Sequence, residues 1–248
     1  MLVFRKRVTE LSIIVPCVST IEPLSAFIDE VASYLMENPS DTTLIIVVNE
    51  QSGDPTPIIE YVKKQYPWLR FEMLQRSGGA RSFGALARFG IAFATSRFVV
   101  LVSPYGQDDV KIISTMLQKI RGGAQVVQAT RYASAQDAKT VSRKFRFYQF
   151  VYRRLTKALL GWTITDSTYE FKMFDRPFIQ ALGLIQNGYS ISPEITLKAL
   201  LAGGRVDYIP SSPRISPIDG NFKLRKEGIG YCWLLVRGWA HQRGILWF

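Results

Sequence analysis

Apolar residues along this chain fall into short unbroken runs rich in β-branched side chains, each followed by a stretch in which they recur every three or four positions. LSIIVP at 11 to 16 predicts a strand, and Leu24, Phe27, Ile28, Val31 and Leu35 predict a helix over 22 to 36. The unit repeats. LIIVV at 44 to 48 passes through QSGDPTP into a helix over 58 to 65, and RFEML at 70 to 74 passes through SGG into a helix over 81 to 94. FVVLV at 98 to 102 precedes a helix over 108 to 120, and AQVVQA at 124 to 129 adds a fifth strand. Strands apolar on both faces, alternating with amphipathic helices, are what a mostly parallel sheet covered on both sides requires, so the fold class is α/β. The second half breaks the rhythm with a long basic helix over 141 to 160, a strand over 170 to 174, helices over 177 to 185 and 193 to 202, and a strand over 205 to 209. No repeat or low-complexity linker divides the halves. The expectation is one domain over 1–222 and an amphipathic basic and aromatic segment, 223–248, that lies at a membrane interface or packs on the domain.

A chain of 248 residues with 47% hydrophobic content supports a sizeable core. Cys17 and Cys232 have no CxxC spacing or His cluster beside them, which argues against a disulfide framework or a structural zinc site. The charged start MLVFRKRVTE is unlike a signal peptide, and no later segment has the roughly 18 uninterrupted apolar residues a membrane span needs; a cytoplasmic protein is expected. The net charge of +11 changes the picture, because it implies a polyanionic partner. Between Lys139 and Asp166 there is no acid, while Arg143, Lys144, Arg146, Arg153, Arg154 and Lys157 alternate with Phe145, Phe147, Tyr148, Phe150 and Tyr152. A solvated face would carry cations, but cations with interleaved aromatics also fit peripheral attachment to an anionic membrane surface at the inner face of the cytoplasmic membrane. No nucleic-acid motif is present, and no nucleic-acid partner is expected.

Open α/β sheets bind ligands beyond the carboxyl ends of their strands. The segments there are IIVPC, VVNEQSGD, SGGARSFGALARFGIAFAT, VLVSPYGQDD, ATRY, DSTYEFKMF, SPEITLKALLAGG and DGNFKLRKEG, in that order. Their ordered spacing resembles the family 2 glycosyltransferases of GT-A fold, most closely the polyprenyl-phosphate branch that includes dolichol-phosphate mannosyltransferase. The resemblance implies an inverting transfer of a sugar from a uridine or guanosine diphosphate sugar to a lipid phosphate acceptor, at a site using Pro16, Asn49, Glu50, Ser52, Ser103, Tyr105 and Gln107 for the donor. Where the family carries Asp-X-Asp to hold a divalent ion, this chain has Ser103, Pro104 and Tyr105. Magnesium or manganese prefers carboxylate oxygens, so a metal would have to recruit Gln107, Asp108 and Asp109 instead; the two acids also suit a helix start.

Without such an ion, cations must neutralise the leaving diphosphate. Arg131, Lys172 and Lys223 match basic positions of the family motifs and are the candidate catalytic residues. Arg143, Arg146 and Asp166 match its acceptor side. A free Arg131 predicts that Arg131→Ala abolishes activity with little change in stability. Glu194, Gly78 and Gly79 read as structural, and His241 as packed or interfacial. The alternative to an active enzyme is a silent relative that binds nucleotide or lipid as the partner of a membrane enzyme; self-association is a further open partner.

Overall fold

The computed structural model describes residues 8–79, 82–131, 143–211 and 224–248. Seven strands, β1 (Leu11–Cys17), β2 (Thr42–Asn49), β3 (Phe71–Arg76), β4 (Phe98–Leu101), β5 (Val126–Thr130), β6 (Lys172–Asp175) and β7 (Val206–Pro210), form one sheet in the order β3-β2-β1-β4-β6-β5-β7. β6 runs antiparallel to both β4 and β5, and the remaining pairs are parallel. The C-terminal ends of β4 and β5 and the approach to β6 therefore share one edge of the sheet.

Side chains alternate across each strand, and the two faces take different helices. Ile13, Val15, Leu44 and Ile46 bury one face under α1 (Leu24–Glu37), α2 (Thr56–Gln65) and α4 (Ile113–Arg121). Ile14, Ile45, Val99 and Leu101 bury the other under α3 (Phe83–Phe93), α6 (Arg176–Ala181) and α7 (Ile191–Leu201). α5 (Arg143–Leu160) and α8 (Leu224–Gln242) make a third cluster with α7 through Tyr152, Leu160, Leu197, Leu234 and Leu235.

Two helix ends differ from the sequence reading, and the C-terminal segment takes one of the two forms it allowed. The helix expected from 108 starts at Ile113, after a 3-10 turn at Val110–Ile112 capped by Asp109, whose carboxylate accepts from the Lys111 amide at 3.2 Å. α6 stops at Ala181 rather than 185, because Lys198 takes the carbonyls of Leu182 and Gly183, at 3.3 and 2.8 Å, and Gly183 turns the chain at φ 63°. The segment beginning at 223 is largely helix α8, and its buried Tyr231, Leu234 and Leu235 make it part of the domain's packing.

Candidate active site at the strand tips

Four loops meet at the C-terminal ends of β1 to β4. Pro16 is buried inside β1, opposite Val47, so it shapes the strand end from within. After β2, the Asn49 carboxamide accepts from the Gln51 amide at 3.1 Å and the Asn49 amide donates to Ser52 Oγ at 3.3 Å, a reciprocal cap that buries both residues. Glu50 is left exposed, and its Oε1 accepts from the Gly78 amide at 3.2 Å. Gly78 and Gly79 both hold positive φ, 67° and 77°, so this turn after β3 requires glycine for its backbone.

The loop after β4 is tied down by protein groups. The Ser103 amide donates to Asp108 Oδ2 at 2.7 Å and Tyr169 Oη donates to Asp108 Oδ1 at 2.6 Å. Tyr105 swings toward β1, where its hydroxyl accepts from the Ser19 amide at 2.8 Å and lies 3.8 Å from Cys17 Sγ. Burial pushes the Asp108 carboxyl up to about 6, against the hydrogen bonds from Tyr169 and Ser103 that pull it down. Burial likewise raises the Tyr105 phenol. Tyr169 reaches the Gln107 carbonyl at 3.5 Å, with Gln107 itself buried.

These bonds decide how a divalent ion would fit. Both oxygens of Asp108 are engaged, Asp109 caps the following turn, and Ser103 Oγ accepts from the Tyr105 amide at 3.4 Å. Among the described residues no group of three or more His, Cys, Asp or Glu side chains could hold a metal. Gln107, Asp108 and Asp109 do not form the open oxygen cage that magnesium or manganese needs, and a serine with a committed tyrosine does not replace it.

Arg131 and Asp166, expected on the donor and acceptor sides, instead bind each other. The Arg131 Nε donates to Asp166 Oδ2 at 2.8 Å and Nη2 to Oδ1 at 2.9 Å, a bidentate pair with side chains 2% and 0% exposed. Arg131 Nη2 also reaches Thr168 Oγ1 at 3.0 Å, and the guanidinium lies 4.5 Å from the Tyr169 ring and 5.0 Å from Phe145. Ser103 and Arg131 are thus joined through Asp108 and Tyr169, but Arg131 sits behind the crevice as its frame. Lys172 departs further from the expected phosphate contact. It is fully buried, donating to Gln128 Oε1 at 3.0 Å, Thr196 Oγ1 at 2.8 Å and the carbonyls of Ser167 and Ser192 at 2.7 and 2.8 Å; burial pulls its pKa well below the usual lysine range.

Arg143 is exposed and Arg146 half-buried at the start of α5, on either side in sequence of Phe145, whose ring lies 5.0 Å from the Arg131 guanidinium. Lys223 lies outside the described residues. Glu194 holds the amides of Ile185 and Gln186, at 3.0 and 2.9 Å, and pairs with Lys198 at 3.2 Å, a structural role. His241 Nδ1 accepts from the Phe248 amide at 3.2 Å, which packs it at the helix end.

Sequence reasoning missed Arg76. It ends β3, its carbonyl accepts from Asn49 Nδ2 at 3.3 Å, and its buried Nη1 has no hydrogen-bond partner among the described residues. A Cβ on Gly79 would lie 2.8 Å from its Nη2, so glycine there leaves room for the guanidinium. The available signal was a basic residue closing a strand just before SGG.

The fold has counterparts among solved structures. Glucosyl-3-phosphoglycerate synthase from Mycobacterium tuberculosis in complex with Mn2+ and UDP-glucose superposes with a TM-score of 0.66 at 14% identity, covering 96% of this chain and 80% of that one. The same enzyme in complex with phosphoglyceric acid gives 0.65 at 15% identity, covering 96% and 81%. A structure described only as a mycobacterial protein gives 0.66 at 15%, covering 96% and 76%. Identities this low establish the shared GT-A fold. The sequence profile described as glycosyl transferase family 2 matches residues 12–183, more than half of the chain and every loop of the crevice from Pro16 to Asp166. This chain belongs to glycosyl transferase family 2.

Proposed function

We propose that the chain transfers a sugar from a nucleotide diphosphate sugar to a lipid-linked phosphate such as a polyprenyl phosphate, by an inverting displacement without a metal-held diphosphate. The observation that carries the reading is the hydrogen-bonded brace of the loop after β4, in which Tyr105 meets Ser19 and Asp108 holds Ser103. An ion that links this loop to the donor is replaced by protein bonds that preset the loop. The nucleoside packs between the tips of β1 and β2, against Asn49, Glu50 and Ser52. A phosphate oxygen of the acceptor attacks the anomeric carbon as the bond from that carbon to the diphosphate breaks, and the nucleoside diphosphate leaves with the bonding pair. The nucleophile is already anionic, so no general base is required, and the remaining burden is charge on the leaving group. Lys223 is the cation the family pattern assigns to that charge, and Arg76, whose guanidinium lies beside Gly79 after β3, is a second. Mycobacterial glucosyl-3-phosphoglycerate synthase binds Mn2+, UDP-glucose and a phosphate-bearing acceptor, phosphoglyceric acid, which supports the donor class and an anionic acceptor. An acceptor with a polyprenyl tail would be met at the inner membrane face.

Titration calorimetry with UDP- and GDP-linked sugars, with and without manganese, tests the reading. The expected result is donor binding that manganese leaves unchanged. Manganese-stimulated binding would return Asp108 and Asp109 to a metal role. Absence of binding under both conditions would favour a silent relative that partners another enzyme, a reading that draws on the engagement of Arg131 and Lys172 by protein groups.

A further inference from the structure

We propose that the joined outer faces of α5 and α8 form a docking surface for an anionic lipid bilayer. It builds on the reading of a lipid-linked acceptor, while its physics rests on the surface alone. In α5, Phe145, Gln149, Tyr152, Thr156 and Leu160 recur at helical spacing and face inward. Beside that stripe Tyr148, Val151 and Leu155 remain exposed. In α8, Tyr231, Leu234 and Leu235 are buried, while Ile229, Trp233 and Val236, spaced by four and three residues, are 74%, 59% and 45% exposed. Between the helices, Tyr148, Val151 and Leu155 share a small crevice of about 70 Å³ with Gly228 and the exposed Cys232, the α8 positions that precede Ile229 and Trp233 in sequence. Exposed apolar side chains elsewhere, such as Met36, Phe93 and Ile185, sit apart on separate elements, as is ordinary for a soluble surface.

Charge selects the occupant. The opposite flank of α5 carries Arg153, Arg154 and Lys157 around Phe150, with the Arg154 guanidinium 5.1 Å from the Phe150 ring. α5 contains no acid, and the one acid of α8, Glu227, faces inward, within 3.5 Å of Ser190 Oγ. An isologous contact with a second copy would set these cations against their own kind. A leaflet of anionic headgroups neutralises them, and the tryptophan and tyrosine rings settle at headgroup depth with the aliphatic stripe below. No helix among the described residues is long and apolar enough to cross a membrane, so the surface lies on the bilayer.

The test is sedimentation of the full chain with phosphatidylcholine vesicles and with vesicles containing phosphatidylglycerol. Anionic vesicles should bind, neutral ones far less, and salt should weaken the binding. Arg153→Gln, Arg154→Gln and Lys157→Gln together should lower the partition coefficient on anionic vesicles about a hundredfold. Ile229→Ser with Trp233→Ser should lower it at least about tenfold, since both exposed side chains leave the lipid. Arg154, Lys157, Ile229 and Trp233 are exposed and Arg153 is half-buried, its Nε donating to the Gln149 carbonyl, so melting temperatures should change little. Independently of any variant, brominated lipids should quench the wild-type tryptophan emission. Equal binding to both vesicle types, variants that sediment like wild type, or absent quenching would overturn the proposal. So would a concentration-dependent dimer, abolished by Trp233→Ser, in a chain that ignores vesicles. Vesicle binding requires no donor, so its failure leaves the transfer reading standing, and absent donor turnover in a vesicle-bound chain sinks only that reading.

Discussion

A guanidinium that neutralises a leaving diphosphate must present open donors to the crevice. Arg131 directs its fork at Asp166, which a basic residue after a strand and an acid 35 positions later do not announce in sequence. The expectation for Arg131→Ala changes accordingly. Leaving Asp166 buried and unpaired costs about 3–5 kcal/mol, which for a domain of this size lowers the melting temperature by roughly 10 °C. Asp166→Leu alone should cost a similar amount, and Arg131→Met with Asp166→Leu should cost much less than the sum, a coupling readable in a double-mutant cycle by denaturant titration. Additive effects would remove the pair from the frame. Asp108 gives a pH signature. Its folded pKa of about 6 exceeds the unfolded 3.8, so between these values the folded state holds the extra proton. The associated stability is present in full below 3.8 and lost as pH rises to about 6, up to about 3 kcal/mol. Other carboxylates, such as Glu10 and Asp207, whose pKa values are lowered by arginine bonds, act in the opposite sense. The Asp108→Asn variant isolates the contribution: its unfolding free energy should fall less than wild type's from pH 4 to pH 6. Parallel curves would exclude Asp108 as the source.

At the scale of elements, strands and helices were legible because a sheet covered on both faces writes itself as apolar runs alternating with amphipathic periods, and every strand from β1 to β7 lies where its run placed it. Ends were less legible wherever a distant side chain decides them. α6 stops because Lys198 takes the carbonyls of Leu182 and Gly183, and α4 starts late because Asp108 bonds Ser103 and Tyr169 while Asp109 caps the turn. Gly84 tests the same idea in α3. A Cβ there would lie 2.6 Å from the carbonyl oxygens of Gln186 and Gly188, and the neighbouring Ala85 amide donates to Asn187 O at 3.0 Å. Helix propensity favours Gly84→Ala by about 1 kcal/mol, but forcing apart the backbones of α3 and the loop before α7 costs about 1–3 kcal/mol. The variant should therefore melt lower than wild type. A higher melting temperature would show that the loop yields freely.

For the whole molecule, the sequence placed the family's loops at one end of the sheet, yet it could not say that Arg131 and Lys172 serve the frame, because pairing across the fold leaves no local pattern. The same limit applied to residues 223–248, whose alternation of aromatic and basic positions suited a detachable membrane tail as well as a packed helix. Removing residues 229–248 would then only weaken vesicle binding. The packing predicts a different outcome. Tyr231, Leu234 and Leu235 are buried against Tyr152, Leu160 and Leu197, and Phe248 lies under Arg237 and Lys198, at 5.0 and 5.2 Å. Burying each large side chain contributes about 1.5–3 kcal/mol, so the three together approach the roughly 5–15 kcal/mol that holds a whole domain folded. The truncated chain should lose cooperative melting and expose α5 and α7 to aggregation, visible by calorimetry and light scattering. A truncated chain that melts as sharply and as high as the full one would mean that α8 is an appendage, and the cluster joining α5, α7 and α8 would carry none of the fold's stability.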